Sequence, residues 1–154
     1  MEQRIQKAKD LFKSGYNCSQ AVVMAYADLY ELDEKMASRI AASFGGGIGR
    51  MRSVCGAASG MFILAGLDKG ATEGSDAQSK KENYDLVQNL AEEFKFEHGS
   101  LICADLLALP KESTHKETTP EARTEKYYTR RPCVKMVEDS ARIYGEYLKK
   151  IGRL

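Results

Sequence analysis

The residues of this 154-residue chain with the most distinctive chemistry are its four cysteines. They lie far apart in the sequence, at Cys18, Cys55, Cys103 and Cys133. A thiolate can attack a disulfide, and it also binds soft metals and iron–sulfur clusters. Because no two cysteines form a C-x-x-C pair, their spacing excludes zinc ribbons, thioredoxin-like motifs and bacterial ferredoxin signatures. Any site that the cysteines share must therefore be assembled by the fold.

We interpret Cys55 as the centre of function, because it lies between a glycine-rich loop with two arginines and a helix of small apolar residues. The stretch from Phe44 to Leu67 has the sequence FGGGIGRMRSVCGAASGMFILAGL. In a thiol–disulfide mechanism, Cys55 would be the reactive nucleophile. The neighbouring residues predicted to contact a bound cofactor are Gly45, Gly46, Gly47, Arg50, Arg52 and Gly56.

The glycine loop does not match a phosphate-binding loop. It lacks the Lys-Ser/Thr pair of a P-loop, it does not fit G-x-G-x-x-G, and it follows a predicted helix instead of a strand. Helix termination and close packing account for the glycines. Their backbone N–H groups can also approach the sulfur atoms of a cluster and tune its reduction potential.

Three of the cysteines, Cys18, Cys55 and Cys133, fall in the first turns of predicted helices. A helix N-terminus offers unpaired N–H groups and a partial positive charge, which lower the pKa of a thiol and favour the thiolate. Four arginines lie close in sequence to two of these cysteines: Arg50, Arg52, Arg130 and Arg131. We therefore expect reactive or metal-binding thiolates at these helix starts.

Cys103 and the two histidines carry weaker signals. Cys103 lies among apolar residues, and its local sequence favours a small buried side chain over a ligand. His98 and His115 are expected at a helix end and in a loop, although His98 is near enough to Cys103 in sequence to replace a missing ligand. With so few histidines, a histidine-based hydrolase is not favoured.

Helical periodicity dominates the chain and predicts an all-α domain of about six helices. It covers residues 2–14, 17–31, 33–44, 53–67, 80–97 and the segment after Pro132, with a short helix opening at Ser100. Asn17 and Gln20 have the spacing of a capping box, and Ser53 is the expected cap of the fourth helix. The fourth helix is apolar on every side and is predicted to be the central buried element.

One long connection, residues 110–131, shows little periodicity. Its length of 22 residues is typical of a lid, a partner-binding loop or a mobile segment. Residues 1–154 are otherwise predicted to form a single domain without repeats.

Composition limits the partners and the location. The 23 basic and 22 acidic side chains nearly cancel, so no nucleic-acid partner is expected. The longest apolar run is too short and too rich in glycine to cross a bilayer, so no membrane partner is expected either. The N-terminal residues have the pattern of a charged helix and not of a signal peptide, and the cysteines do not suggest a disulfide framework. Both observations favour the cytoplasm. Apolar stripes on the first and last helices would permit a homodimer.

The chain resembles the redox-active family named for the cysteine pattern C–GCAxxG–C–C. Its hallmark segment is present as CGAASG over residues 55–60. The match continues with NCS at residues 17–19, FGGG at residues 44–47, an F…HGS…C…LL series from Phe94, and Cys133. The resemblance covers essentially the whole chain. The chain is also similar to the non-haem part of split-Soret cytochromes, although it has no C-x-x-C-H for haem attachment.

The resemblance implies an iron–sulfur protein that transfers electrons with a partner redox protein. The ligands of one cluster, [2Fe–2S] or another metal site, would be Cys18, Cys55, Cys103 and Cys133. Two alternatives remain open from the residues alone. One is a thiol–disulfide redox protein with Cys55 as the reactive thiol, and the other is a helical interaction module in which the cysteines are structural.

Overall fold

Residues 1–110 and 117–154 are described by the computed structural model, and they form eight α-helices. In chain order these are α1 (Glu2–Lys13), α2 (Cys18–Tyr26), α3 (Glu34–Ala41), α4 (Gly56–Lys69), α5 (Ala77–His98), α6 (Cys103–Leu106), α7 (Glu125–Arg130) and α8 (Cys133–Lys150). The described ranges contain no β-strand, only an isolated antiparallel bridge between Val54 and Ile102. The all-α prediction is confirmed. The short helix predicted to open at Ser100 corresponds to α6, and the one helix that was not predicted is α7, which has only six residues.

Helix α4 occupies the centre of the fold, as its apolar sequence predicts. It packs against α2, α5 and α8, and residues 56–61 are all buried. Helix α1 packs against α2 and α8 through Ile5, Ala8 and Phe12. Among the described residues, no helix combines the length and the apolar character needed to cross a bilayer.

Helices α2, α4 and α8 run side by side from one end of the molecule. Their first residues line one cavity. Further along, the Tyr26 hydroxyl of α2 donates to the Ala141 carbonyl of α8 at 2.6 Å. The Tyr144 hydroxyl of α8 donates to the Leu64 carbonyl of α4 at 3.1 Å. The partial positive charges of three helix N-termini therefore meet at the same end of the fold.

The predicted capping box at the start of α2 is present. The Asn17 side chain accepts a hydrogen bond from the Gln20 N–H at 2.9 Å, and Gln20 Oε1 accepts one from the Asn17 N–H at 3.0 Å. These two bonds satisfy N–H groups that a helix start leaves unpaired, and they place Cys18 at the first position of α2.

The starts of α4 and α6 lie further along the chain than predicted. The residue that caps α4 is Cys55 and not Ser53. The reason is a long-range pairing: the Cys55 N–H donates to the Leu101 carbonyl at 2.7 Å, and the Cys103 N–H donates to the Ser53 carbonyl at 2.6 Å. This pairing keeps both segments extended, so α6 begins at Cys103 instead of Ser100.

In the connection over residues 110–131, the described part from residue 117 onwards contains a helix that was not predicted. Residues 125–130 form α7, in which the Thr124 hydroxyl accepts a hydrogen bond from the Tyr127 N–H at 3.2 Å. Tyr127 is buried, and its ring centroid lies 6.4 Å from that of Phe12. A buried aromatic contact thus stabilises a helix too short to show periodicity. The prediction for His115 concerns a residue outside the described ranges.

Candidate metal centre

The four cysteines line one cavity of about 410 Å³. Each comes from the start of a different helix: Cys18 is the first residue of α2, Cys55 caps α4, Cys103 is the first residue of α6, and Cys133 is the first residue of α8. All four are free thiols. The fold therefore gathers residues that are widely separated in sequence.

Cys103 belongs to this group, although its local sequence favoured a core residue. It is 9% exposed, and Arg52 Nη1 lies 3.8 Å from its sulfur with donor geometry. The signal that would have found it is the pairing with Ser53, which holds Cys103 beside the start of α4. That pairing joins segments about fifty residues apart and leaves no local pattern.

The distances among the sulfurs distinguish between kinds of metal site. In the described part of the chain, no three of the cysteine sulfurs lie within 4.8 Å of one another. Four thiolates around a single zinc ion, with bonds of about 2.3 Å, would have sulfurs roughly 3.8 Å apart. The described sulfurs are therefore not arranged in advance around a single ion. In a [2Fe–2S] cluster the four cysteines are divided between two irons, so the thiolates are spread more widely.

Backbone N–H groups donate to two of the sulfurs. The Gly46 N–H donates to the Cys18 sulfur, and the N–H groups of Ala57 and Ala58 in the first turn of α4 donate to the Cys55 sulfur. Such hydrogen bonds favour a charged sulfur. They connect the glycine loop and the start of α4 to the cysteines, as the position of the loop in the sequence suggested.

The predicted cofactor-contacting glycines leave no room for side chains. A Cβ on Gly45 would overlap the Asn17 side-chain amide, and one on Gly47 would lie 2.6 Å from the Cys103 Cβ. A Cβ on Gly56 would lie 3.1 Å from the Cys18 sulfur. Gly45, Gly46 and Gly56 line the cavity directly, whereas Gly47 packs behind Cys103.

The glycine loop follows an unusual backbone path. Residues 46–50 all have positive φ, between 56° and 73°, although Ile48 and Arg50 are not glycines. A left-handed conformation costs a non-glycine residue about 1–2 kcal/mol. Backbone hydrogen bonds hold the path in place, including Gly49 N–H to the Ser43 carbonyl at 2.7 Å and Ser53 N–H to the Gly47 carbonyl at 2.8 Å.

The pKa values of three thiols are raised, so the predicted lowering is wrong for them. Burial is the main cause at Cys18, Cys55 and Cys133, and the charge of neighbouring cysteines adds to it at each. Burial raises the pKa of Cys133 to about 12. Lost hydration therefore outweighs the helix N-termini. At neutral pH these free thiols are protonated, and a metal must displace the protons when it binds.

Arginines dominate the charged lining of the cavity. Arg50 and Arg52, predicted as cofactor contacts, are joined there by Arg123 and Arg131, and the one lining carboxylate is Glu121. Glu121 forms ion pairs with Arg131 and with Arg130, which does not line the cavity.

Arg123 was missed by the sequence analysis. It donates to the Phe12 carbonyl at 3.0 Å and the Tyr16 carbonyl at 3.2 Å, and it lies over the Phe12 ring. Its position depends on contacts with α1, which the irregular sequence around it does not reveal.

His98 does not join the cysteines. Its Nε2 lies 3.1 Å from the Asp139 carboxylate, which connects the end of α5 to α8. With Glu97 these residues form the one group of three potential metal ligands within 4.8 Å in the described ranges. Arg142 binds Glu97 at 2.6 Å and Lys135 binds Asp139 at 3.0 Å, so both carboxylates are already paired.

The residues of the cavity fit an iron–sulfur cluster. Four thiols supply the donor set, backbone N–H groups donate to two sulfurs, and glycines keep side chains away from the cysteines. A family model described as "Putative redox-active protein (C_GCAxxG_C_C)" matches residues 16–147. No curated protein and no solved structure matches the chain.

Proposed function

Because this chain belongs to the C_GCAxxG_C_C family of redox-active proteins, we propose that it is a one-electron carrier that holds a [2Fe–2S] cluster. The proposed ligands are Cys18, Cys55, Cys103 and Cys133. The observation that carries the proposal is their convergence from four helix starts on one cavity, where no three of the described sulfurs lie within 4.8 Å of one another. The electron donor or acceptor would be a second redox protein.

The surrounding residues have defined roles in this proposal. A bound cluster would accept and return one electron. The N–H groups of Gly46, Ala57 and Ala58 stabilise the charged sulfurs by donating hydrogen bonds to them. The apolar lining limits the access of water and lowers the local dielectric, which influences the reduction potential. That lining includes Leu106, Leu107 and Met136.

A thiol–disulfide mechanism has less support. Cys55 is 6% exposed, and burial raises the pKa of its thiol, whereas reactive cysteines are accessible and have low pKa values. The interaction-module alternative gives no reason for four thiols to meet in one cavity, because core packing is equally served by alanine or valine. The interaction-module alternative also leaves the N–H groups directed at the sulfurs unexplained.

The test is iron and sulfide analysis of protein purified without oxygen. The proposal predicts a coloured protein with two irons and two acid-labile sulfides per chain. Single Cys→Ser changes at each of the four positions should each lower the iron content by more than half. A folded protein that stays colourless after anaerobic reconstitution would refute the proposal. Binding of one zinc ion in place of iron and sulfide would also refute it.

A further inference from the structure

The cavity is larger than a [2Fe–2S] cluster requires. Its volume of about 410 Å³ lies in the range of small-molecule pockets, roughly 300–1,000 Å³. The cluster core has only four atoms and replaces a few waters of about 30 Å³ each. Space therefore remains beside the cysteines for a second small molecule.

The charge of the lining favours an anion in that space. Among the described residues that line the cavity, four arginines face one carboxylate, which leaves three positive charges. An oxidised [2Fe–2S] core with four thiolates carries two negative charges. Of the charges on the described lining residues, one positive charge then remains without a counterion in a partly apolar cavity, where unpaired charges are costly. A monoanion would complete the balance.

Arg50 is the arginine best suited to bind this anion. In the described part of the chain it has no ion-pair partner, and its Nη1 atom is buried without a hydrogen-bond acceptor. Buried donors in native proteins normally have a partner. Hydrogen bonds from Thr119 and the charge of Arg50 lower the pKa of the exposed Glu117 nearby, but no hydrogen bond joins Glu117 to Nη1.

The loop presents Arg50 at the cavity through a specific backbone arrangement. Arg50 has a φ of 63°. A Cβ at position 46 would lie 2.8 Å from the Arg50 Cγ, so only glycine at position 46 leaves room for the Arg50 side chain in this position. The other cavity arginines are engaged: Arg52 with the Cys103 sulfur, Arg123 with two carbonyls and Arg131 with Glu121.

Much of the remaining lining is apolar. It includes Leu106, Leu107, Pro120, Tyr127 and Met136. A guanidinium beside an apolar wall is suited to a carboxylate that carries a short hydrocarbon body, because the guanidinium matches the planar carboxylate and the wall buries the body. A fully hydrated inorganic anion would gain less from this lining.

We infer that the cavity binds a small organic monocarboxylate beside the cluster, with Arg50 as the residue that binds the carboxylate. The inference rests on the proposed function for its charge balance, although binding to the metal-free protein can be measured separately. The probe is butyrate, the neutral isostere is butyramide, and inorganic phosphate tests the alternative anion.

The experiment is calorimetric titration of the metal-free and cluster-loaded full chain under anaerobic conditions. Butyrate should bind one per chain to the loaded protein, at least tenfold more tightly than butyramide or phosphate. Arg50→Gln should weaken butyrate binding at least tenfold. Arg39→Gln is the matched control, because Arg39 is exposed on α3 and does not line the cavity. Circular dichroism verifies that each variant is folded.

Several outcomes would overturn the inference. Equal binding of butyramide would exclude recognition of the carboxylate, and tighter binding of phosphate would exclude a monocarboxylate. Binding that Arg50→Gln leaves unchanged would exclude Arg50. Binding to the metal-free protein that disappears on loading would assign Arg50 to the cluster itself. Iron content is measured on the same samples, so if no cluster forms, the proposed function fails and the metal-free titration alone decides the carboxylate site.

Discussion

The substitution Gly56→Ala tests whether the first turn of α4 is shaped to admit the Cys18 sulfur. The added Cβ would lie 3.1 Å from the Cys18 sulfur, 2.9 Å from the Phe44 carbonyl oxygen and 3.3 Å from the Gly45 Cα. Two of these three atoms belong to backbone, which cannot rotate away. The sulfur and the glycine loop must therefore move apart from α4 by several tenths of an ångström.

The expected effect on the cluster is larger than the effect on stability. Overpacking costs about 1–3 kcal/mol, whereas alanine in a helix gains about 0.5–1 kcal/mol over glycine. The metal-free variant should thus be destabilised by only ~0.5–2 kcal/mol. Metal–ligand distances tolerate deviations of about 0.2 Å, so a displaced Cys18 sulfur should lower the iron content by more than half.

The matched control is Gly66→Ala in the same helix, where an added Cβ meets nothing within 4 Å. This variant should load iron normally and gain about 0.5–1 kcal/mol in free energy of unfolding. The assay combines urea denaturation of the metal-free proteins with iron analysis of the reconstituted ones. Equal iron content in the two variants would refute the proposed placement of Cys18 at the cluster.

Three further predictions concern the loop, the thiols and the far end of the fold. Gly47→Ala should abolish iron binding, because its Cβ would lie 2.6 Å from the Cys103 Cβ. Gly49 has a similar positive φ but open space around an added Cβ, so Gly49→Ala should lower the free energy of unfolding by only ~1–2 kcal/mol and retain iron. Iron analysis and denaturation measure both variants. The raised pKa of Cys133, about 12, means that the folded thiol stays protonated while the unfolded one ionises near pH ~8.5. The free energy of unfolding of the metal-free protein should therefore be unaffected by this thiol below pH ~8.5 and fall as the pH rises above that value. A melting temperature that stays constant between pH 8 and 11 would contradict this. Tyr144→Phe removes a buried hydroxyl that donates to a backbone carbonyl of α4, and it should cost about 1–3 kcal/mol in urea denaturation with no change in iron content.

Local sequence patterns predicted the helices and two of the cysteine positions. The capping box of Asn17 and Gln20 and the proline before Cys133 are local signals, and both place a cysteine at a helix start. The apolar sequence of α4 likewise predicted its burial. These features depend on residues only a few positions apart, so periodicity and capping rules are sufficient to find them.

The features that were missed depend on long-range contacts. The pairing of residues 53–55 with residues 101–103 makes Cys55 a cap and brings Cys103 to the cavity, and it has no local signature. Arg123 and α7 are held by contacts with α1 across more than a hundred residues. The raised thiol pKa values also require the fold, because burial decides them and the helix starts alone suggested the opposite.

The central claim is that the four cysteines together hold one [2Fe–2S] cluster. X-ray absorption at the iron edge of the anaerobically purified protein tests it most directly. The account predicts that each iron has four sulfur neighbours and one iron neighbour, and that this pattern is lost when any one of the four cysteines is replaced by alanine. The claim would be contradicted if nitrogen or oxygen atoms were among the nearest neighbours of iron in the unaltered protein. It would also be contradicted if the spectrum stayed unchanged after any of the replacements.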